Sequence, residues 1–117
     1  MTNNSIEYAK AAYEALDEKK GINIRVIDIS EVSVIADYFI IASGTSKNQV
    51  QALADNAMEA VEKAGLKCKQ VEGYGTANWI LMDFNDIIVH VFNQEDRIFY
   101  DLERIWKDGR IIDDFQI

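Results

Sequence analysis

The sequence predicts an α/β fold, in which helices pack on a mixed sheet of about five strands within a single domain over residues 1–117. Its length of 117 residues suits one domain. Segments with helical and with strand-like hydrophobic spacing alternate along the chain, as they do in layered α/β proteins. The sequence has no proline, low-complexity tract or internal repeat that would mark a linker.

The first predicted helix covers residues 5–20. Asn4 is placed to cap it, and Glu7 follows three residues later, which is the reciprocal pattern of a capping box. Gly21 is placed to end the helix, because glycine tolerates the left-handed backbone common after a helix. The alternation over residues 24–29 then predicts the first strand.

The second strand is predicted at residues 38–43, a nearly continuous apolar run typical of a central strand covered on both faces. A second helix follows, with Ser46 as its cap and Gln49 completing another capping box. Gly65 is placed to end this helix. A third strand is predicted near residues 68–72, so that strand, helix and strand form a crossover unit.

Two more strands are predicted at residues 77–84 and 86–92, joined by a tight turn at Asn85-Asp86. With this turn, six apolar side chains share one face and are predicted to be core: Ile80, Met82, Phe84, Ile87, Val89 and Val91. Short helical pieces over residues 95–106 and a polar tail complete the chain. Whether the apolar residues of the tail pack back on the domain stays open.

The opposite face of this hairpin mixes aromatic, aliphatic and polar side chains. Its members are Trp79, Leu81, Asp83, Ile88, His90 and Phe92. Such a mixture is typical of the centre of a protein–protein contact, where tryptophan is enriched and a few polar groups fix orientation. A second interpretation is that the C-terminal segment or another layer covers this face and makes it ordinary core. Composition favours neither interpretation.

The net charge of −8 disfavours nucleic acid as the main partner. Proteins that bind DNA or RNA usually draw most of their affinity from Lys and Arg on phosphates, and the sequence contains no basic cluster. Complementary charge would favour a basic protein partner. Solubility alone is an equally good explanation of the acidity.

The sequence predicts a cytoplasmic protein that is not attached to a membrane. The single cysteine, Cys68, cannot form an internal disulfide, which favours a reducing compartment. The residues after Met1 do not resemble an export signal, and no apolar run approaches the roughly 18 residues of a membrane span.

The residue types that catalysis requires are scarce. His90 and Cys68 are the only members of their types, and no zinc-ligand spacing is present. The glycine-bearing turn at residues 44–47 lacks the spacing of a phosphate-binding loop. A metal-dependent nucleotidyltransferase is the best enzymatic alternative, but no pair of aspartates stands on a strand to hold two metal ions. The candidate carboxylates are scattered: Asp28, Asp37 and Asp83. We therefore predict no catalytic, cofactor-binding or metal-binding residues.

Several stretches, in order along nearly the whole chain, resemble one known family. The matching segments are residues 37–46, 72–73, 77–80, 86–92 and 97–106. The chain resembles the ribosomal silencing factor, or Iojap, family. The resemblance implies a nucleotidyltransferase-like core without catalytic carboxylates. It also implies a regulatory protein rather than an enzyme.

The resemblance further implies a function and a partner. Family members bind the large ribosomal subunit through its fourteenth protein, on the face where the small subunit docks, and so block subunit joining and repress translation. Organellar relatives take part in assembly of the large subunit, which is the alternative function. Family members can also pair with themselves when free of the ribosome.

The predicted partner-binding residues follow from the family and from the mixed face. Trp79 matches a tryptophan of the family's ribosome-contacting surface. Five further residues are predicted from face and chemistry: Glu72, Leu81, Asp83, His90 and Tyr100. The alternative for Glu72 is a solvated turn residue, and for Tyr100 a core aromatic with its hydroxyl exposed.

Overall fold

The computed structural model describes residues 5–31, 36–94 and, for the backbone alone, 110–112. These residues form two helices and six strands. The helices are α1 (Ser5–Glu18) and α2 (Lys47–Lys63), and the strands are β1 (Ile22–Asp28), β2 (Tyr38–Gly44), β3 (Gln70–Glu72), β4 (Trp79–Asp83), β5 (Ile87–Asn93) and β6 (Arg110–Ile112). The predicted α/β class is confirmed. Neither described helix is long and apolar enough to cross a membrane.

The strands form one mixed sheet in the order β3-β4-β5-β2-β1-β6. The central pair, β2 and β5, is parallel, and the other neighbouring strands are antiparallel. All five predicted strands are present. The sixth, β6, was not predicted: it pairs with β1 at residues 110–112, so this part of the predicted polar tail packs back on the domain. The helical pieces predicted over residues 95–106 lie outside the described residues.

Helix α1 ends two residues earlier than predicted, and the left-handed position is not glycine. Lys20 has a φ of 62°. The backbone amides of Lys20 and Gly21 donate to the carbonyls of Asp17 (2.9 Å) and Leu16 (2.8 Å), which is the Schellman arrangement. Gly21 therefore follows the left-handed residue. A Cβ there would lie 3.1 Å from the Leu16 carbonyl oxygen, so close approach to the helix end explains the glycine.

Helix α2 begins at the predicted cap, but the second half of the capping box differs. The Gln49 amide donates to Ser46 Oγ at 3.1 Å, as expected. The Gln49 side chain accepts from the backbone amide of Thr45 at 2.7 Å, one residue before the cap. Gly65, with a φ of 115°, ends α2 as predicted, and the Leu66 amide donates to the Val61 carbonyl at 3.2 Å.

Both helices pack on one face of the sheet. The apolar side of the β4–β5 hairpin lies beneath them, and all six side chains predicted to be core are buried. The predicted pairing is also observed, with Ile80 opposite Val91 and Met82 opposite Val89. The helix-covered face is therefore the main core of the described structure.

The other face carries a second apolar cluster that contains no residue of α1 or α2. Its buried members come from β1, β2, β5 and the two ends of the connection between β1 and β2: Ile27, Ile29, Ala36, Phe39, Ile41, Ile88 and Phe92. Trp79 and Leu81 are partly buried against it. The mixed face of the hairpin thus continues into a buried apolar centre of the sheet.

Candidate partner-binding site

The register of the hairpin places the predicted mixed face as expected. Trp79 lies opposite Phe92, Leu81 opposite His90, and Asp83 opposite Ile88. Directly opposed residues project to the same side of a sheet. All six side chains therefore share the face that α1 and α2 leave uncovered.

This face divides along the line between the two strands. On β5, Phe92 is fully buried and His90 is 3% exposed. On β4, Trp79, Leu81 and Asp83 are half-buried. The interpretation of the whole face as a contact surface is therefore too broad, because its β5 half is core. The sequence pattern could not separate the halves, since side chains on both strands mix apolar and polar types.

The indole of Trp79 is held on two sides. Its Nε1–H group donates to Nδ1 of His90 at 3.0 Å. Its ring stacks on Phe92, with centroids 5.2 Å apart and planes inclined by 26°. Both contacts are made to buried residues of β5, so the half-exposed ring rests on a fixed support.

His90 is neutral in the folded protein. Burial lowers its pKa from 6.5 to about 3. Because Nδ1 accepts the Trp79 hydrogen bond, the ring proton resides on Nε2. Among the described residues Nε2 has no hydrogen-bond partner. The ring also meets Phe39 edge-on, with centroids 4.7 Å apart.

Strand β3 extends this face to the edge of the sheet. Glu72 lies opposite Leu81, and Gln70 lies opposite Asp83, so both project to the same side as Trp79. Glu72 is exposed and accepts a hydrogen bond from the Gln70 side-chain amide at 2.7 Å. A carboxylate thus stands at the exposed margin of the half-buried aromatic surface.

The segment between β3 and β4 has a defined backbone. Gly73 has a φ of 79°, and a Cβ at this position would overlap the carbonyl oxygen of Trp79. The Ala77 amide donates to the Gly73 carbonyl at 2.9 Å, and Ala77 is itself left-handed with a φ of 57°. Only glycine fits at position 73, and this close contact fixes the start of β4.

Two exposed apolar side chains beside this turn were missed by the sequence reasoning. Val71 is 37% exposed and Tyr74 is 39% exposed. The Tyr74 hydroxyl donates to Asp55 Oδ2 at 3.0 Å, which joins the turn to α2. An aromatic residue between two glycines in a polar segment was the available signal.

Asp83 has a local structural role. Its Oδ1 atom accepts from the Asn85 amide at 2.8 Å, and this bond stabilises the turn between β4 and β5. Tyr100, the last predicted site residue, lies outside the described residues.

The enzymatic alternative gains no support from the described residues. They contain no group of three or more His, Cys, Asp or Glu side chains that could hold a metal ion. The Asp28 and Asp37 carboxylates each accept a hydrogen bond from a serine, Ser30 and Ser5 respectively, at 2.6 Å. Burial is the main cause that raises the pKa of Cys68 above its ordinary value, which disfavours a reactive thiolate.

Comparison with known proteins agrees with the fold and with the sequence resemblance. The model of the family described as "Ribosomal silencing factor during starvation" matches residues 2–116. The ribosomal silencing factor of Bacillus subtilis is 37% identical over 110 residues, which cover 94% of this chain and 93% of that protein. A crystal structure of a Chromobacterium violaceum protein superposes with a TM-score of 0.84 at 36% identity, covering 86% of this chain and 84% of that one.

A more distant relative carries a different name. The mouse protein named "Mitochondrial assembly of ribosomal large subunit protein 1" is 29% identical over 96 residues, which cover 78% of this chain and 41% of that protein. Since the family model spans nearly the whole sequence and the bacterial relatives align over most of their length, the chain belongs to the ribosomal silencing factor family.

Proposed function

We propose that the protein binds the large ribosomal subunit through its fourteenth protein and prevents the small subunit from joining. It acts in the cytoplasm as a steric repressor of translation. The domain occupies space that the small subunit needs, so repression requires binding and no chemical step. Recognition is of a protein surface, and no cofactor or metal takes part.

The observation that carries the proposal is the half-buried Trp79 on its aromatic support. Tryptophan is one of the residue types enriched among those that dominate the binding energy of protein–protein contacts. A ring already held by His90 and Phe92 loses little freedom on binding. Leu81 provides an apolar neighbour on the same strand.

Charge supports a basic partner. The exposed Glu72 lies on the side of the sheet that carries Trp79, and the chain as a whole has a net charge of −8. Opposite charges across an interface accelerate association and disfavour incorrect partners. A cationic surface on a ribosomal protein would complement this margin.

The test is co-sedimentation with isolated large subunits, followed by addition of small subunits. Truncation of a central tryptophan commonly costs about 2–4 kcal/mol of binding free energy. We therefore expect Trp79→Ala to weaken binding by roughly thirtyfold or more while the domain stays folded. The variant should also permit subunit joining at concentrations where the unmodified protein blocks it. A folded Trp79→Ala protein that co-sediments normally would refute the assignment.

A matched pair of charge reversals tests the position of the contact. Glu72 and Glu59 are both exposed, but Glu59 belongs to α2, which packs on the opposite face of the sheet. Glu72→Lys should slow association with large subunits by roughly threefold or more, and Glu59→Lys should slow it much less. Equal effects would show that only the net charge matters.

Assembly of the large subunit is the second candidate function, favoured by the name of the mouse relative. The same surface would then act on immature particles. Binding to mature and to precursor large subunits should be compared under identical conditions. Preference for the precursor would favour assembly, and equal or stronger binding to the mature subunit would favour silencing.

We further propose that the protein, when free of the ribosome, forms a homodimer through the half-buried side chains of β4. A partly exposed apolar surface of this kind favours self-association. Sedimentation velocity should then show a dimer that Trp79→Ala converts to a monomer.

Melting in the presence of a nucleotide and magnesium tests the enzymatic alternative, since a bound ligand raises the melting temperature.

A further inference from the structure

We propose that His90 is a positioning residue: it lies beneath the contact surface, and its Nδ1 atom holds the Trp79 indole in the orientation that the partner meets. This inference rests on the proposed function, because it takes Trp79 to be a contact residue. It differs from the sequence-based prediction, which placed His90 itself in the contact.

The burial of the two residues separates their roles. His90 is 3% exposed and so presents almost no surface to a partner, whereas Trp79 is half-buried. The hydrogen bond from Trp79 Nε1 to His90 Nδ1 is 3.0 Å long and crosses diagonally between β4 and β5. It restrains the edge of the indole, and stacking on Phe92 restrains its face. Together the two contacts restrict the orientation of the ring.

His90 is itself held in place. Its ring meets Phe39 edge-on at 4.7 Å and lies nearly parallel to Phe92, with planes inclined by 8° and centroids 6.3 Å apart. The parallel pairing of β2 with β5 places Ile41 beside it, and Ile41 is fully buried. The Nδ1 atom that accepts the indole hydrogen bond therefore belongs to a side chain packed at the buried centre of the sheet.

Stability alone does not explain a histidine at this position. Its Nε2–H group is buried and has no partner among the described residues, and an unsatisfied buried donor is costly. The two neighbouring residues on the same face of β5, Ile88 and Phe92, are apolar. A phenylalanine could fill the space without an unsatisfied donor. What imidazole adds over a phenyl ring is the Nδ1 acceptor, whose partner is Trp79.

The experiment measures the dissociation constant for isolated large subunits in a double-mutant cycle. His90→Phe keeps a ring and removes the acceptor, and Trp79→Phe keeps a ring and removes the donor. Each single change should weaken binding by roughly three- to tenfold, the cost of ordering one side chain on association. In the Trp79→Phe background, His90→Phe should cause no further loss, because the hydrogen bond is already absent.

Two further measurements separate positioning from a general structural role. Asn places an oxygen near the position of Nδ1, so His90→Asn should recover part of the binding that His90→Phe loses. In a Trp106→Phe background Trp79 is the only tryptophan. His90→Phe should then lower the fluorescence anisotropy of Trp79 through faster local motion, and the free energy of unfolding at pH 7 should be retained.

The outcomes distinguish this proposal from the proposed function. Normal binding by His90→Phe, together with loss of binding by Trp79→Ala, would overturn the positioning role and leave the contact role intact. Equal losses from His90→Phe with and without the Trp79 donor would also overturn it. Normal binding by Trp79→Ala would overturn both. If His90→Phe does not fold, His90→Leu, which also removes the acceptor and leaves the Trp79 contact surface unchanged, takes its place in each comparison.

Discussion

Lowering the pH from 7 to 5 should reduce the free energy of unfolding by about 2 kcal/mol through His90 alone. The chain has one histidine. Burial lowers its pKa in the folded protein from 6.5 to about 3. Below pH 6.5 the unfolded chain therefore binds a proton that the folded chain does not bind. The stability due to the neutral imidazole is fully present above pH 6.5 and is lost as the pH falls towards 3, at about 1.4 kcal/mol per pH unit.

The hydrogen bond adds a reason for this resistance to protonation. In the folded protein Nδ1 accepts a hydrogen bond from the Trp79 Nε1–H group, and a proton on Nδ1 would point at that N–H group. The resulting imidazolium would lie beside the rings of Phe39 and Phe92 with little access to water. Protonation thus requires the indole and the imidazole to separate.

The assay is urea unfolding at pH 7, 6 and 5, followed by circular dichroism, with His90→Phe as the control. His90→Phe retains every other titrating group. Its overall charge therefore changes in the same way as the pH approaches the sequence pI of about 4.5, apart from the charge of His90 itself. The difference between the two proteins should therefore isolate the imidazole. Parallel changes in the two free energies of unfolding over this range would show that His90 does not cause the loss of stability.

Three other predictions concern the turn before β4, the start of α2 and the charge of the surface. Gly73→Ala should destabilise the protein by about 1–3 kcal/mol, because its Cβ would overlap the Trp79 carbonyl in a left-handed backbone. Gly75→Ala, whose Cβ would meet nothing within 4 Å, is its control, and equal melting temperatures would contradict the prediction. Ser46→Ala should cost about 1 kcal/mol in urea unfolding through loss of the helix cap; an unchanged midpoint would exclude that role. Association with large subunits should slow as salt rises, and an association rate indifferent to salt would show that the acidity serves solubility alone.

The parts of the fold with strong local patterns could be predicted from the sequence. The apolar run before Gly44 specifies a central strand. The glycine at its end marks the point where the strand meets α2, because a Cβ there would lie 3.0 Å from the Val50 side chain. The two-residue turn at Asn85-Asp86 sets the register of the hairpin, because side chains alternate from that point outwards. Asn85 takes the left-handed conformation that such turns require, with a φ of 77°.

Features that depend on distant contacts could not be predicted in the same way. Residues 110–112 include two isoleucines, which favour strands, but three residues are too few to predict one, and the strand forms by pairing with β1. Asn23 is left-handed with a φ of 50°, at the point where the pairing of β1 with β2 shifts register. The residues around Asn23 carry no sequence pattern that predicts this shift. The burial of His90 depends on its position near the centre of the sheet, which the alternation along β5 does not reveal.

The division between core and surface limits where a partner can bind. A specific interface of ordinary size buries roughly 800 Å² on each partner and involves about 20–30 residues. The half-buried side chains of β4 are too few to supply this area, and the β5 half of the mixed face is buried. If Trp79 is near the centre, the contact extends across β3 through the exposed Gln70 and Glu72, which continue the Trp79 side of the sheet. Val71 lies opposite Met82 and therefore projects to the other side, where Tyr74 bonds to α2. The turn that begins at Gly73 then belongs to the contact surface. Because the backbone of Gly73 packs against the carbonyl of Trp79, this turn joins the edge of the contact surface to the tryptophan at its centre.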